Sequence, residues 1–185
     1  QALFSLPQRI AIEADSLILQ THNFSNARMD ARQENAQWRV DLVSKQAIAS
    51  ATIAADVQRD GITINAEKLH LSSGMKADVA ENQTQSDKRV PLRFKCGDCR
   101  MNDYVIGKVD LELNPTETGL KINRLNIDHP YAKLRAQGEW LNEDGAGTRL
   151  TGEFDSSDFG RWLDSLSFNS GIKDSEAEVD FSLNW

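Results

Sequence analysis

A ten-residue phrase recurs along this chain, in the order apolar-x-apolar-x-small-acidic-x-Leu-x-Leu. The first copy is Ile10-Ala11-Ile12-Glu13-Ala14-Asp15-Ser16-Leu17-Ile18-Leu19 and the second is Ile62-Thr63-Ile64-Asn65-Ala66-Glu67-Lys68-Leu69-His70-Leu71, aligned without a gap at a spacing of 52. A shortened third copy is Leu120-Lys121-Ile122-Asn123-Arg124-Leu125-Asn126-Ile127. Repetition of this kind points to an architecture built from one unit used several times.

The phrase alternates at a period of two, the spacing of a strand with one apolar face. Each copy then slips by one residue: Leu69 and Leu71 are out of phase with Ile62, Ile64 and Ala66. Either the chain turns at the slip, or one extra residue bulges the strand and returns both halves to the same face.

Antiparallel strand signals continue along the chain. Val109, Leu111 and Leu113 alternate with polar neighbours, as do Leu134, Ala136, Gly138 and Trp140, and then Ala177, Val179, Phe181, Leu183 and Trp185. Turn residues separate them, such as Asn114-Pro115-Thr116-Glu117-Thr118-Gly119. One helix is predicted near 158–166, where Asp158 offers an N-cap and Phe159, Trp162, Leu163 and Leu166 form an apolar stripe. It is too short to stand alone, so it is expected to plug an open end or face of the sheet.

A second echo relates the halves. Met29, Ala31, Trp38 and Val40 align with Leu111, Leu113, Leu120 and Ile122 at a spacing of 82, and Pro7-Gln8-Arg9-Ile10 aligns with Pro91-Leu92-Arg93-Phe94 at 84. The polar, aperiodic run before Arg89 reads as a linker, giving two β modules, 1–80 and 89–185, joined by 81–88. The expected fold is all-β and mainly antiparallel: an elongated, curved, repeat-built sheet forming a groove. Hydrophobic content of 39% is low for a filled globule and suits such a shape.

The net charge of −7, with no Lys/Arg cluster, argues against nucleic acid and anionic membrane surfaces as partners. No apolar run is long enough to span a bilayer. The chain opens on Gln1 without an initiator Met, so it reads as a segment of a longer parent.

Cys96-Gly97-Asp98-Cys99 is the one CxxC, with His22, His70 and His129 too scattered to complete a zinc site. In the module alignment the pair straddles the slip, so a bulge would turn both cysteines to one side. A disulfide or paired buried thiols are expected ahead of catalytic redox chemistry. No nucleophile elbow, phosphate loop or metalloprotease motif is present, and the carboxylates alternate onto the polar face. No catalytic residues, metal or cofactor are expected.

From about Val90 to Trp185 the chain, through the ordered series Leu125-x-Ile127-x-x-Pro130, Leu134-x-Ala136-x-Gly138-x-Trp140, Thr148-x-Leu150-x-Gly152, Ser157-Asp158-Phe159-Gly160-Arg161-Trp162-Leu163 and Ala177-x-Val179-x-Phe181-x-Leu183-x-Trp185, resembles the C-terminal region of the AsmA-like proteins of Gram-negative envelopes. It is nearest the branch of YhdP, related to TamB, which also carries a Cys-x-x-Cys at the place of Cys96 and Cys99. The chain departs from the family's Gly-containing turn before the last strand, having Asp174-Ser175-Glu176.

The resemblance implies a periplasmic segment of a parent anchored in the inner membrane by a helix outside this chain. It implies an apolar β groove taking part in phospholipid transport between inner and outer membranes and in maintaining the outer-membrane barrier, with no catalytic residues. Val109, Leu111, Leu113, Leu120, Ile122, Leu134 and Trp140 are the residues expected to line the groove for acyl chains. The alternative is an envelope scaffold or protein-interaction module with a closed β core, since both give the same alternation.

Overall fold

The computed structural model describes residues 8–19, 22–72, 89–141 and 147–185. They form one sheet of eleven strands, each beside its neighbour in sequence. The strands are β1 (Arg9–Leu19), β2 (His22–Glu34), β3 (Gln37–Val43), β4 (Ala47–Ile53), β5 (Ile62–Leu71), β6 (Leu92–Met101), β7 (Tyr104–Pro115), β8 (Gly119–His129), β9 (Ala132–Leu141), β10 (Gly147–Ser156) and β11 (Ala177–Asn184). The helices are α1 (Val57–Asp60) and α2 (Phe159–Ser165). β1 and β11 are the outer strands, so the sheet is open and not a barrel.

All pairs are antiparallel except β5 and β6, which run parallel. A parallel neighbour needs a long return connection, and the segment between these strands contains the expected linker 81–88, which lies outside the described residues. The sheet crosses this junction without interruption.

The slip in the repeated phrase has two structural forms. In β5, Glu67 is an extra residue opposite β4, where Ile48 faces Lys68 and Ala49 faces Ala66. In β6, Gly97 and Asp98 lie between the pairs Cys96–Val109 and Cys99–Gly107. In β8, Ile122 and Leu125 flank the irregularity. These are bulges, and they return both halves of the strand to one face. In β1 the register with β2 stays constant, with Ala14 facing Ala27 and Ser16 facing Ser25. There β2 slips as well, with Asn26 at φ 50.

The bulges of β5 and β6 lie side by side, because the parallel register pairs Ala66 with Cys96 and Leu69 with Cys99. Cys96 and Cys99 form a disulfide with Cα atoms 5.9 Å apart. Both are buried with Ala66, against Phe94, Leu69 and Val109. Leu69 also packs against the Phe24, Ala27 and Ala47 cluster of the first half, so the apolar packing of the two halves is contiguous.

α2 begins at Asp158, whose side chain accepts from the Arg161 N–H at 3.0 Å. The turn before β11 holds Asp174 at φ 48, in the left-handed region. Short polar residues tolerate that region. Ser175 then caps α2: its carbonyl accepts from the Phe159 N–H at 2.7 Å and its hydroxyl from the Gly160 N–H at 3.2 Å.

Candidate functional site

Residues paired across neighbouring strands point to the same side of a sheet, so the register traces each face strand by strand. One row runs Ile12, Met29, Leu42, Ala49, Ala66 over β1–β5 and continues Cys96, Val109, Ile127, Leu134, Phe154, Val179 over β6–β11. The next runs Ile10, Ala31, Val40, Ala51, Ile64 and then Phe94, Leu111, Leu125, Ala136, Gly152, Phe181. A third, from β3 onward, includes Trp38, Ile53, Ile62, Leu92, Leu113, Ile122 and Leu150. At strand spacings near 4.8 Å the rows are roughly 50 Å long.

The opposite face is polar at the matching positions: Asp30, Asp41, Ser50 and Asn65, then Lys95, Asp110, Asn126 and Arg135. Ion pairs cross it, including Arg32–Asp41 at 2.9 Å, Arg124–Glu112 at 3.1 Å and Arg124–Asp110 at 3.2 Å. The hydrogen bond from Arg9 holds the Asp30 carboxyl below its usual range. Shallow depressions occur on this face, one lined by Lys108, Asp110, Asn126, Asp128, Lys133 and Arg135. They are gaps between solvated charges, and no group of metal-ligating side chains occurs among the described residues.

The apolar face carries no second layer of strands among the described residues. Its exposure pattern follows from that. The buried apolar residues are alanines, the two cysteines and Phe24, and no large side chain is fully buried. Small residues sink beneath their larger neighbours while the larger ones keep one side open. A closed core would bury its Leu, Ile and Phe side chains completely.

All seven expected lining residues lie on this face: Val109, Leu111 and Leu113 on β7, Leu120 and Ile122 on β8, Leu134 and Trp140 on β9. The structure adds Phe94, Leu125, Ile127 and Phe154 to them. α2 lies on the same face. Phe154 meets Trp162 at 4.7 Å and Phe159 at 6.2 Å between ring centroids. Phe159, Trp162, Leu163 and Leu166 are all half-buried there.

Beneath α2, His129 is buried and lies against Ser165, a pair that invites comparison with a nucleophile and its base. The hydrogen bonds run the wrong way for that. The Tyr131 N–H donates to His129 Nδ1 at 3.1 Å, which puts the ring proton on Nε2. Ser165 Oγ donates its own proton to the Trp162 carbonyl at 2.6 Å and is left to accept from Nε2 at 3.3 Å. The arrangement fastens the helix and leaves no base on the serine.

Burial lowers the His129 pKa from 6.5. Above that value the ring is neutral in both folded and unfolded chains. Below it the unfolded chain takes up the proton first, so stability falls with pH through the window under 6.5. Thermal unfolding followed from about pH 7.5 to about pH 5 should show this loss. His129→Asn, which keeps an acceptor near the Nδ1 position, should flatten that part of the profile.

Comparison with known proteins identifies the family of the chain. The family described as YhdP protein matches the chain over residues 1–185. The chain belongs to the YhdP family. A curated relative, the intermembrane phospholipid transporter YhdP of Escherichia coli (strain K12), is 24% identical over 94 residues. That match covers 50% of this chain and 7% of the relative, so the chain spans a small part of the relative's length. No solved structure matches. YhdP-family membership fixes the kinship of the open sheet; the roles of its side chains are argued from the geometry above.

Proposed function

We propose that this chain is a non-enzymatic segment of a phospholipid conduit in the envelope, with the apolar face as a groove for acyl chains and the polar face toward the aqueous periplasm. The observation that carries the reading is the continuity of the apolar rows from β1 to β11, across the parallel junction, with no second sheet over them among the described residues. Apolar area removed from water contributes about 25 cal/mol per Å², so an acyl chain laid along the rows gains free energy without a specific contact. That suits movement along a path. The relative, an intermembrane phospholipid transporter by name, supports the same reading.

The rival reading, a scaffold with a closed β core, needs a layer that the described residues do not supply. Photo-crosslinking from Leu111 and Ile122 in the intact parent protein separates the two. Lipid adducts are expected from these positions and not from Asp110 or Asn126, which lie on the polar face. Adducts confined to the polar-face controls would sink the conduit.

A further inference from the structure

The apolar face has an edge where β9 ends and β10 begins. Trp140 pairs with Thr148. Thr148 in turn exchanges two backbone hydrogen bonds with Trp185, at 2.7 and 3.2 Å. The two indoles therefore stand on one face, two strands apart, with a small residue between them. They are 52% and 67% exposed, in contrast to Trp162, which is stacked on Phe159 at 5.6 Å. Inward from this notch the floor is low. Gly138, Ala136 and Gly152 occupy neighbouring positions on β9 and β10, bordered by Leu150, Phe154 and Phe181.

The chemistry changes sharply at this edge. Indole has an apolar body and one N–H donor, which is why Trp settles where hydrocarbon gives way to ester and headgroup. At the same level on the opposite face, Lys121, Glu139 and Arg149 are paired in register and carry net positive charge, suited to a phosphate passing over the rim.

We propose that Trp140 and Trp185 form an interfacial clamp. It holds a phospholipid at its glycerol-ester level on this rim, with an acyl chain running inward over Gly138, Ala136 and Gly152. The clamp rests on the conduit reading and adds to it a fixed depth and orientation for the lipid at one end of the sheet.

Single-tryptophan variants of the intact chain test it, made by changing the other three Trp residues to Phe and checked for strand content by circular dichroism. Each is incubated with phosphatidylethanolamine–phosphatidylglycerol vesicles brominated either near the ester or near the methyl end of the chains. The vesicles are then removed by sedimentation, and lipid phosphorus and indole emission are read on the protein left in solution. Variants keeping only Trp140 or only Trp185 are expected to lose most of their emission with ester-end bromine and less with methyl-end bromine. The variant keeping only Trp162 should lose least with either. Retained lipid with Trp140 and Trp185 quenched no more than Trp162 overturns the clamp and leaves the conduit standing. Equal quenching from both bromine positions overturns the ester-level placement. No retained lipid overturns the conduit, and the clamp with it.

Discussion

Leu111→Asp is expected to strip the apolar face of lipid, with a loss of retained phospholipid of roughly a hundredfold. Leu111 lies in the middle of the second row, paired with Phe94 on one side and Leu125 on the other. A carboxylate set into hydrocarbon costs about 3 kcal/mol, and an acyl chain following the row cannot pass without meeting it. The fold should suffer less than the binding. The face is open, so the carboxylate reaches water, and the expected stability loss is that of one half-buried leucine, about 1–2 kcal/mol. Asp110→Asn is the matched control on the opposite face. It weakens the ion pairs with Arg124 at 3.2 Å and Lys95 at 3.8 Å, which are partly exposed and worth little. Thermal melts and retained lipid phosphorus on both variants check the prediction. A folded Leu111→Asp chain that keeps its lipid would show that this face is not the path.

Much of this site was legible in the sequence, because a one-faced strand advertises itself by alternation. Val109, Leu111 and Leu113 needed no further information. Leu125 and Ile127 were visible in the shortened repeat but could not be assigned to the same face as Ile122 without knowing that the slip at Asn123–Arg124 is a bulge. A turn there would have sent them elsewhere. Phe94 and Phe154 joined the apolar face only once the register placed them beside Leu111 and Leu134.

The parallel junction was the largest feature that the pattern did not declare. Alternation is the same in either direction, and direction depends on the length and course of the connection. The long polar run after Leu71 held the relevant signal, since a hairpin would have needed only a few residues. α1 (Val57–Asp60) begins where an apolar stretch, Ala47 to Val57, ends, and β4 covers only the first part of that stretch. The strand ends at Ile53 because Asp56 caps a helical turn instead, accepting from the Arg59 N–H at 3.2 Å. The disulfide and the bulge were both left as one of two alternatives by the sequence, and the structure ties them together. Two cysteines three residues apart on one strand share a face only if an extra residue lies between them, so the bond and the slip imply each other.

Gly107→Ala is expected to be among the most damaging single-methyl changes in the chain. The disulfide-side bulge on β6 is matched on β7, where Cys99 faces Gly107 and Arg100 faces Val105, leaving Ile106 as the extra residue. Gly107 makes this possible at φ 93, a backbone that L side chains rarely adopt. A Cβ there would also lie 2.2 Å from the Asp128 carbonyl oxygen of β8. The first effect alone costs about 1 kcal/mol and the second, which must move strand backbone, about 2 kcal/mol more. A loss near 3 kcal/mol should lower the melting temperature of a chain this size by roughly 6–12 °C. Gly171→Ala separates the two effects. Gly171 also has positive φ, at 64, but nothing lies within 4 Å of its would-be Cβ, so only the backbone cost applies and the drop should be about a third as large. Equal melting shifts for the two variants would remove the steric part of the argument. A much larger shift at Gly107 would show that the β7 bulge holds the register on which the continuity of the apolar rows depends, because a one-residue slip between β7 and β8 would turn Leu125 and Ile127 out of line with Leu111 and Val109.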